Sequence, residues 1–495
     1  MKCYSRNFTL AFEKVWFMAL LTSASSLFSS RNKEWRILYR VIVFCLLVAG
    51  GMVYPAPKLL AQSDSATTAD QYHHFSLNDC LQYAVQHQHD VVNARLDRQY
   101  SQEQVRENTG KLLPHVSING SVVDNLKLAT TLYPDIFNGD PDHKVPVQFG
   151  NKFTSDITGE VDQTVFNSNY FIGLKAAKVY EELSQRSLSR TEIDTRVNVT
   201  KAYYNVLVNK ESIRLAEANL AQLEKSLQDT KAKYGAGISE TVDVNRIQVQ
   251  YNNAQTGLDN QQRLLQYSLA ELKFQMGMPL ADSLALSETV KDFAPGSAAA
   301  ADTMNYSYQD RPEYAMQNIQ VDLNKLSLKS TRLDFLPSLS AYVNYGYNYY
   351  SSRFSDLYRR GFGNSALGLS LSFPIFSGTE RIHQTNEARI TLQQSQNDLD
   401  NLVQQIQLDV KNAYTQYVNN HDQLQTQEKN MELTQGVYDR IKYKFDQGVS
   451  SSLDLLSAEN ELQQAQSQYI NALLNALISQ VDLDKAMGKI QTTVR

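Results

Sequence analysis

The side chains able to do chemistry are few and scattered along the 495 residues. Eight histidines give two close pairs. His73 and His74 fall in a presumed flexible start. His87 and His89 stand two apart on an expected helix, where such neighbours do not face each other. A closed metal site takes about four ligands, so these histidines read as surface polar residues. Cys3 and Cys45 lie in the N-terminal leader, which leaves Cys80 without a partner for an internal disulfide. There is no HExxH, CxxC, GxSxG or phosphate-binding glycine loop. The chain is therefore expected not to be an enzyme, and to use no cofactor and no metal. Two carboxylates do have a defined setting. Asp454 follows Ser451 by three residues, just after Gly448, which is the spacing of a helix-capping box. Asp243 stands likewise after Glu240, just past Gly235 and Gly237.

Long helices position those turns. Val199, Val206, Ile213, Leu220, Leu227 and Tyr234 recur every seventh residue. So do Val403, Val410, Tyr417, Leu424, Met431, Tyr438 and Phe445. Spacing of seven sustained this far means coiled-coil packing. Neither 167–234 nor 378–445 contains a proline, and a helix of that length spans about 100 Å. Gly235/Gly237 and Gly448 end the two helices, because glycine takes the left-handed C-cap at low cost. Returning helices keep the register through Val244, Tyr251, Leu258, Leu265 and Leu272, and through Leu455, Leu462, Tyr469, Ala476 and Leu483. Small residues Ala458, Ala465, Ala472, Ser479 and Ala486 form a seam that lets helices approach closely. The helices opening each half, about 76–112 and 308–335, would stack end to end with the returning ones.

The chain is one unit written twice. KYGAGIS (233–239) and KFDQGVS (444–450) are offset by 211 residues, as are QMGMP (275–279) and AMGKI (486–490). QTVFN (163–167) and FPIFS (373–377) differ by 210, and KLLPHVSI (111–118) and DFLPSLSA (334–341) by 223. The first copy is thus longer by about a dozen residues, all between its Leu-Pro and its Phe, where a loop tolerates insertion. Each copy reads helix, strand, strand, long helix, helix. The expected units are 1–61 leader and signal, 62–280 first repeat, 281–307 linker and 308–495 second repeat. Segment 294–303 reads as a flexible link. The tips fall at 235–239 and 446–451.

Strands are expected near 115–126, 153–166, 338–349 and 364–376. Residues such as Ile157, Val161 and Val165, or Leu367, Leu369 and Leu371, alternate with polar ones. A half-buried soluble sheet shows the same alternation. Lengths near ten with terminal tyrosines fit a transmembrane barrel. Four strands cannot close in lipid, and an open edge there is forbidden. Closure would take eight strands from two chains or twelve from three, and a wide polar lumen favours twelve.

Arg36 and Arg40 precede the apolar run Val41–Val48, and PAPKLLAQSDS follows. That is the layout of a secretory signal cleaved near Ala61, with a run too short to span a bilayer. The whole chain carries 47 Lys/Arg and 52 Asp/Glu; removing the leader's eight and two leaves 39 and 50, a net of −11. Such a balance argues against nucleic acid.

These residues resemble the TolC-type outer membrane factors over roughly 75–490. The resemblance rests on FSLNDCLQYAVQHQHDVV, the LLP and FLP boundaries, Arg311–Glu313 (RPE), the paired tips AKYGAGISETVDV and YKFDQGVSSSLDLL, and the Met-Gly endings. Cys80 stands where that family more often has alanine, as a buried small residue would. The resemblance implies a mainly α fold with a transmembrane β-barrel contribution: a homotrimer with a twelve-strand barrel in outer-membrane lipid and a periplasmic α-helical barrel. It implies a passive exit duct of a Gram-negative bacterium, for small molecules or polypeptides. The partners would be a periplasmic adaptor (membrane fusion protein) and an inner-membrane pump of RND, ABC or MFS type. In the family's best-known member a tyrosine and an arginine latch the second tip and two aspartates ring its pore. The matching positions are Phe445, Ser450, Asp454 and Ser457, of which Asp454 alone keeps the residue type. Asp243 matches an aspartate latch partner on the first tip. A carboxylate ring in a narrow pore attracts cations; a helix cap is the other reading of both aspartates. A periplasmic coiled-coil adaptor or scaffold is the alternative to the duct.

Overall fold

The computed structural model describes residues 74–135, 140–293 and 306–490. The leader, the signal segment, His73 and the 294–303 stretch lie outside these residues. A short strand β1 (His74–Phe75) pairs in parallel with β6 (Ala285–Leu286). The first repeat continues with α1 (Leu77–His87), α2 (His89–Gly110), β2 (His115–Asp124), β3 (Thr130–Asp135), β4 (Asp140–Gln148), β5 (Phe153–Phe166), α3 (Ser168–Gly235) and α4 (Thr241–Met276). The second holds α5 (Pro312–Leu333), β7 (Ser338–Ser351), β8 (Gly361–Ser372), α6 (Glu380–Asp446) and α7 (Ser452–Ala486).

The seven-residue lines are buried or half-buried, apart from Tyr234 at the first tip, which is exposed. Val199, Val206 and Leu227 on α3, and Val410, Tyr417, Leu424 and Tyr438 on α6, are all shielded from solvent. The small seam Ala458, Ala465, Ala472, Ser479 and Ala486 on α7 is buried too. Hence α3 packs along α4, α6 along α7, and α7 also rests on α3. Ser76 starts α1 with a capping box: its backbone N–H donates to Asp79 Oδ2 at 3.0 Å, and Asp79 N–H donates to Ser76 Oγ at 3.3 Å.

Where one helix is expected over 76–112, the structure has two. The break is at Gln88, with ψ of 130°. Gln88 caps the second helix through its side-chain oxygen, which accepts from Val91 N–H at 3.1 Å. A tertiary contact lies at the break. Gly277, just past α4, takes φ of +72° and presses against His87 and Gln88. There α4 ends and α2 begins, so the two stack along α3. Gly488, at φ of +71°, repeats this against Asp310 and Arg311 at the start of α5.

The main sheet has the order β2-β5-β7-β8, antiparallel throughout. The 124–153 connection, expected as a loop, carries the hairpin β3–β4. In the second copy a short 3-10 turn, Phe354–Arg359, fills the matching place, which accounts for the length difference. β7 runs to Ser351, two residues past the expected 349, and β8 begins at Gly361, three before the expected 364, and ends at Ser372, four before 376. Val116, Val161, Val343 and Leu367 face one another in a single cross-strand row. All four are open to solvent, at 66%, 39%, 47% and 79%. The next row, on the opposite face, reads Ser117, Glu160, Asn344 and Ala366. Among the described residues nothing covers the apolar face of this sheet, unlike a sheet packed on a core.

The largest core lies midway along the helices. Cys80 and Ala84 of α1 meet Tyr203, Val206 and Leu207 of α3, with Leu272, Met276, Leu473 and Leu477. The Tyr203 hydroxyl and the Leu77 N–H both donate to Glu288 Oε2, at 2.7 Å and 2.9 Å. Glu288 thus pins the start of α1 to α3.

Candidate functional site

The two helical tips carry the residues singled out for function. Both turns are built alike. Gly237 and Gly448 each take φ of +74°. The Ile238 N–H donates to the Lys233 carbonyl, and the Val449 N–H to the Lys444 carbonyl, both at 2.9 Å. That closes a glycine-dependent helix end. Gly235 differs: it is the last residue of α3 and has no positive φ. The left-handed turn belongs to Gly237 and Gly448 alone.

Asp454 is fully exposed at the start of α7. Its Oδ2 accepts from the Ser451 hydroxyl at 2.7 Å, the Ser451 N–H at 3.0 Å and the Ser450 hydroxyl at 3.1 Å. These bonds, the Ser451 hydroxyl first, hold its carboxyl below the usual range. Asp243 is half-buried. It accepts from the Ser452 hydroxyl, from the Ser239 hydroxyl at 3.1 Å and from the Glu240 N–H at 3.4 Å, with Arg246 at 4.0 Å. Its carboxyl is also held low, chiefly by Ser452. Both aspartates are helix caps and both stay charged near neutrality.

Phe445 does not stand alone. Lys233 Nζ lies 4.4 Å from its ring centroid and donates to its carbonyl at 3.2 Å. Ser457 is exposed on the first turns of α7. So Asp243 meets Ser452, Asp454 meets Ser450, and Phe445 meets Lys233. Lys233 and Ser452 were not singled out by sequence. Their partners sit some two hundred residues away, beyond any local spacing rule.

Elsewhere the chemistry is quiet. Burial pushes the Cys80 thiol up to about 12, where it is a poor nucleophile. Among the described residues no group of three or more His, Cys, Asp or Glu comes together to hold a metal. No described helix is long and apolar enough to cross a membrane.

Two repeats of strand pair and long hairpin, with an uncovered apolar sheet face, match a known family. Residues 80–278 and 305–489 fit the outer membrane efflux protein family. The chain belongs to that family. It is 26% identical over 326 residues to the alkaline protease secretion protein AprF of Pseudomonas aeruginosa, covering 64% of this chain and 67% of that one. It is 22% identical over 441 residues to the probable efflux pump outer membrane protein TtgC of Pseudomonas putida, covering 86% and 87%. Among solved structures it resembles CusC, with a TM-score of 0.67 at 16% identity over 84% of this chain and 92% of that one. The outer-membrane channel OprN gives 0.66 at 15% over 89% and 99%. This efflux-protein fold, not an adaptor with one hairpin, is the architecture of the chain. Its place is the outer membrane, with the helices reaching into the periplasm, and its part is that of an exit channel.

Proposed function

We propose that three copies of the chain form one export duct, closed by its tips and docked there to partners. The observation that carries this is the sheet. Its outer strands, β2 and β8, have no neighbour on their far sides among the described residues. They run in opposite directions, because each of the three pairings is antiparallel. A partner's β8 set beside β2 therefore continues the same antiparallel pattern. Three copies close twelve strands and leave no open edge in lipid. The row Val116–Val161–Val343–Leu367 then faces the acyl chains, and Ser117, Glu160 and Asn344 wet the lumen. Tyr345, Tyr347, Tyr349 and Tyr358 make a chain of ring contacts at the far end of the sheet, the position of an aromatic girdle.

The helical hairpins continue that lumen for about 100 Å and end at the tips. Three Asp454 side chains, charged and exposed, ring the inner mouth and favour cations. Phe445, Ser450, Ser457 and Asp243 stand around it as the residues that set how tightly neighbouring hairpins close. The tips meet a periplasmic adaptor and, through it, an inner-membrane pump of RND, ABC or MFS type. Kinship with a protease secretion protein and with an efflux-pump component supports polypeptide and small-molecule cargo alike.

The lipid face supplies the test. Leu367→Arg sets a charge against acyl chains and costs about 2–4 kcal/mol near the bilayer centre. Its neighbour Ala366→Arg points into the lumen. Outer-membrane yield should fall for Leu367→Arg and hold for Ala366→Arg. Equal yields would contradict the assignment of faces.

A further inference from the structure

Side-chain contacts join the two hairpins of one chain, each running from the first repeat to the second, and three of them have counterparts one repeat away. Lys233 reaches the ring and carbonyl of Phe445. The Ser452 hydroxyl donates to Asp243 Oδ1. Asn219 Nδ2 donates to Gln466 Oε1 at 2.8 Å. The repeat offset of 211 carries these pairs onto three others: Lys444 with Tyr234, Asp454 with Thr241, and Asn430 with Gln255. Each keeps its chemistry. A lysine again meets an aromatic ring, an aspartate again meets a hydroxyl, and the amide pair is identical.

The counterparts are more open than the originals, five of the six being exposed and Gln255 half-buried. Ser452 and Gln466 are buried, and Lys233, Asp243, Asn219 and Phe445 are half-buried. Lys444, Tyr234, Asp454, Thr241 and Asn430 are exposed. The carboxylates differ in the same sense. Asp243 uses Oδ2 for its own turn and Oδ1 for Ser452. The hydrogen bonds of Asp454 within its own turn all fall on Oδ2, which leaves Oδ1 with capacity to accept.

A module that joins its front to the back of its own duplicate leaves one back and one front free. The first repeat's hairpin carries the free back, with Tyr234, Thr241 and Gln255. The second carries the free front, with Lys444, Asp454 and Asn430. A head-to-tail contact of this kind builds a ring when the rotation closes. We infer that a second copy of this chain docks on these residues, placing Lys444 over Tyr234 of the partner subunit, Asp454 against Thr241 of the partner subunit and Asn430 against Gln255 of the partner subunit. This rests on the trimeric reading above and adds the residues that make its lower seam. Nearer the middle of the helices the repetition fails. The ion pairs Lys201–Asp482 at 2.5 Å and Lys485–Asp194 at 2.7 Å map onto Asn412 with Glu271 and onto Phe274 with Gln405. Toward the tips one pair also fails to repeat: Gln222 bonds Tyr438 across the repeats, and these map onto Leu433 with Leu227. The seam between chains thus repeats part of the seam within a chain, at the three pairs named.

Cross-linking tests the inference on the full chain in detergent. Asn430→Cys with Gln255→Cys, treated with a short bismaleimide, should give covalent dimers and trimers on a denaturing gel, and nothing larger. Lys444→Cys with Tyr234→Cys should do the same, which guards against one variant failing to assemble. Asn219→Cys with Gln466→Cys should link within a chain and leave the mass of one chain. Cys80 is buried and does not compete. A native mass of three chains with no covalent dimer or trimer from either variant would overturn the inference and leave the trimer standing. A native mass of one chain would sink both.

Discussion

A Cβ on Gly277 would stand 2.6 Å from the His87 carbonyl oxygen and 2.7 Å from Gln88 Cα. That contact sets the joint where α4 stops and α2 begins. It combines a left-handed backbone with a close approach to other backbone, so no side chain fits. Gly277→Ala should destabilise the protein by more than the ~1–2 kcal/mol that a left-handed alanine costs by itself. Gly448→Ala, with equal φ strain but open space around it, should show that smaller cost. Gly235→Ala, helical and unobstructed, should gain about 0.5–1 kcal/mol. Thermal unfolding of the three variants in detergent checks the order.

Glu288 holds two donors on one oxygen, the buried Tyr203 hydroxyl and the Leu77 N–H. Glu288→Ala strips both of their partner, and a buried group left unsatisfied costs about 1–3 kcal/mol. Tyr203→Phe removes one donor and leaves Leu77 served, so it should cost less. Denaturant or thermal midpoints measure the difference; equal losses would mean that Glu288 matters to Tyr203 alone.

Glu459 lies half-buried in the α6–α7 hairpin. Burial lifts its carboxyl to about 7, against the opposing pull of Lys442. The folded state therefore keeps this proton over a range where the unfolded chain, near its ordinary value of 4.5, has lost it. Stability from this group is full below that ordinary value. It declines as pH rises toward 7 and stays low above. Glu459→Gln mimics the protonated acid. The variant should match the parent at about pH 4 and unfold at a higher temperature than the parent at about pH 8. An equal difference at both pH values would show that Glu459 is not held protonated.

Much of the helical fold was legible because coiled-coil packing writes a period into the chain. Val199, Val206, Val410, Tyr417 and Tyr438 were found by spacing and are buried. The tip glycines were half legible: two glycines close together marked the first turn, but only Gly237 bears the positive φ. The break at Gln88 left no signal, since neither glycine nor proline marks it and the residue packed against it, Gly277, is far along the chain. The β3–β4 hairpin was also missed, being short and broken by prolines at 134, 141 and 146. At the tips, capping by Asp454 could be read from Ser451 three residues before it. The pairing of Asp243 with Ser452, and of Lys233 with Phe445, could not, because contacts across two repeats depend on how the hairpins lie together.

The most direct test of the account is bilayer conductance of the purified protein, with its native mass in detergent. The account predicts a stable assembly of three chains giving small, cation-selective steps. Asp454→Ala should weaken the cation preference or enlarge the steps, because the charged ring at the mouth is gone. A single chain that carries no current would contradict the duct. A trimer whose selectivity is untouched by Asp454→Ala would leave that residue as a helix cap alone.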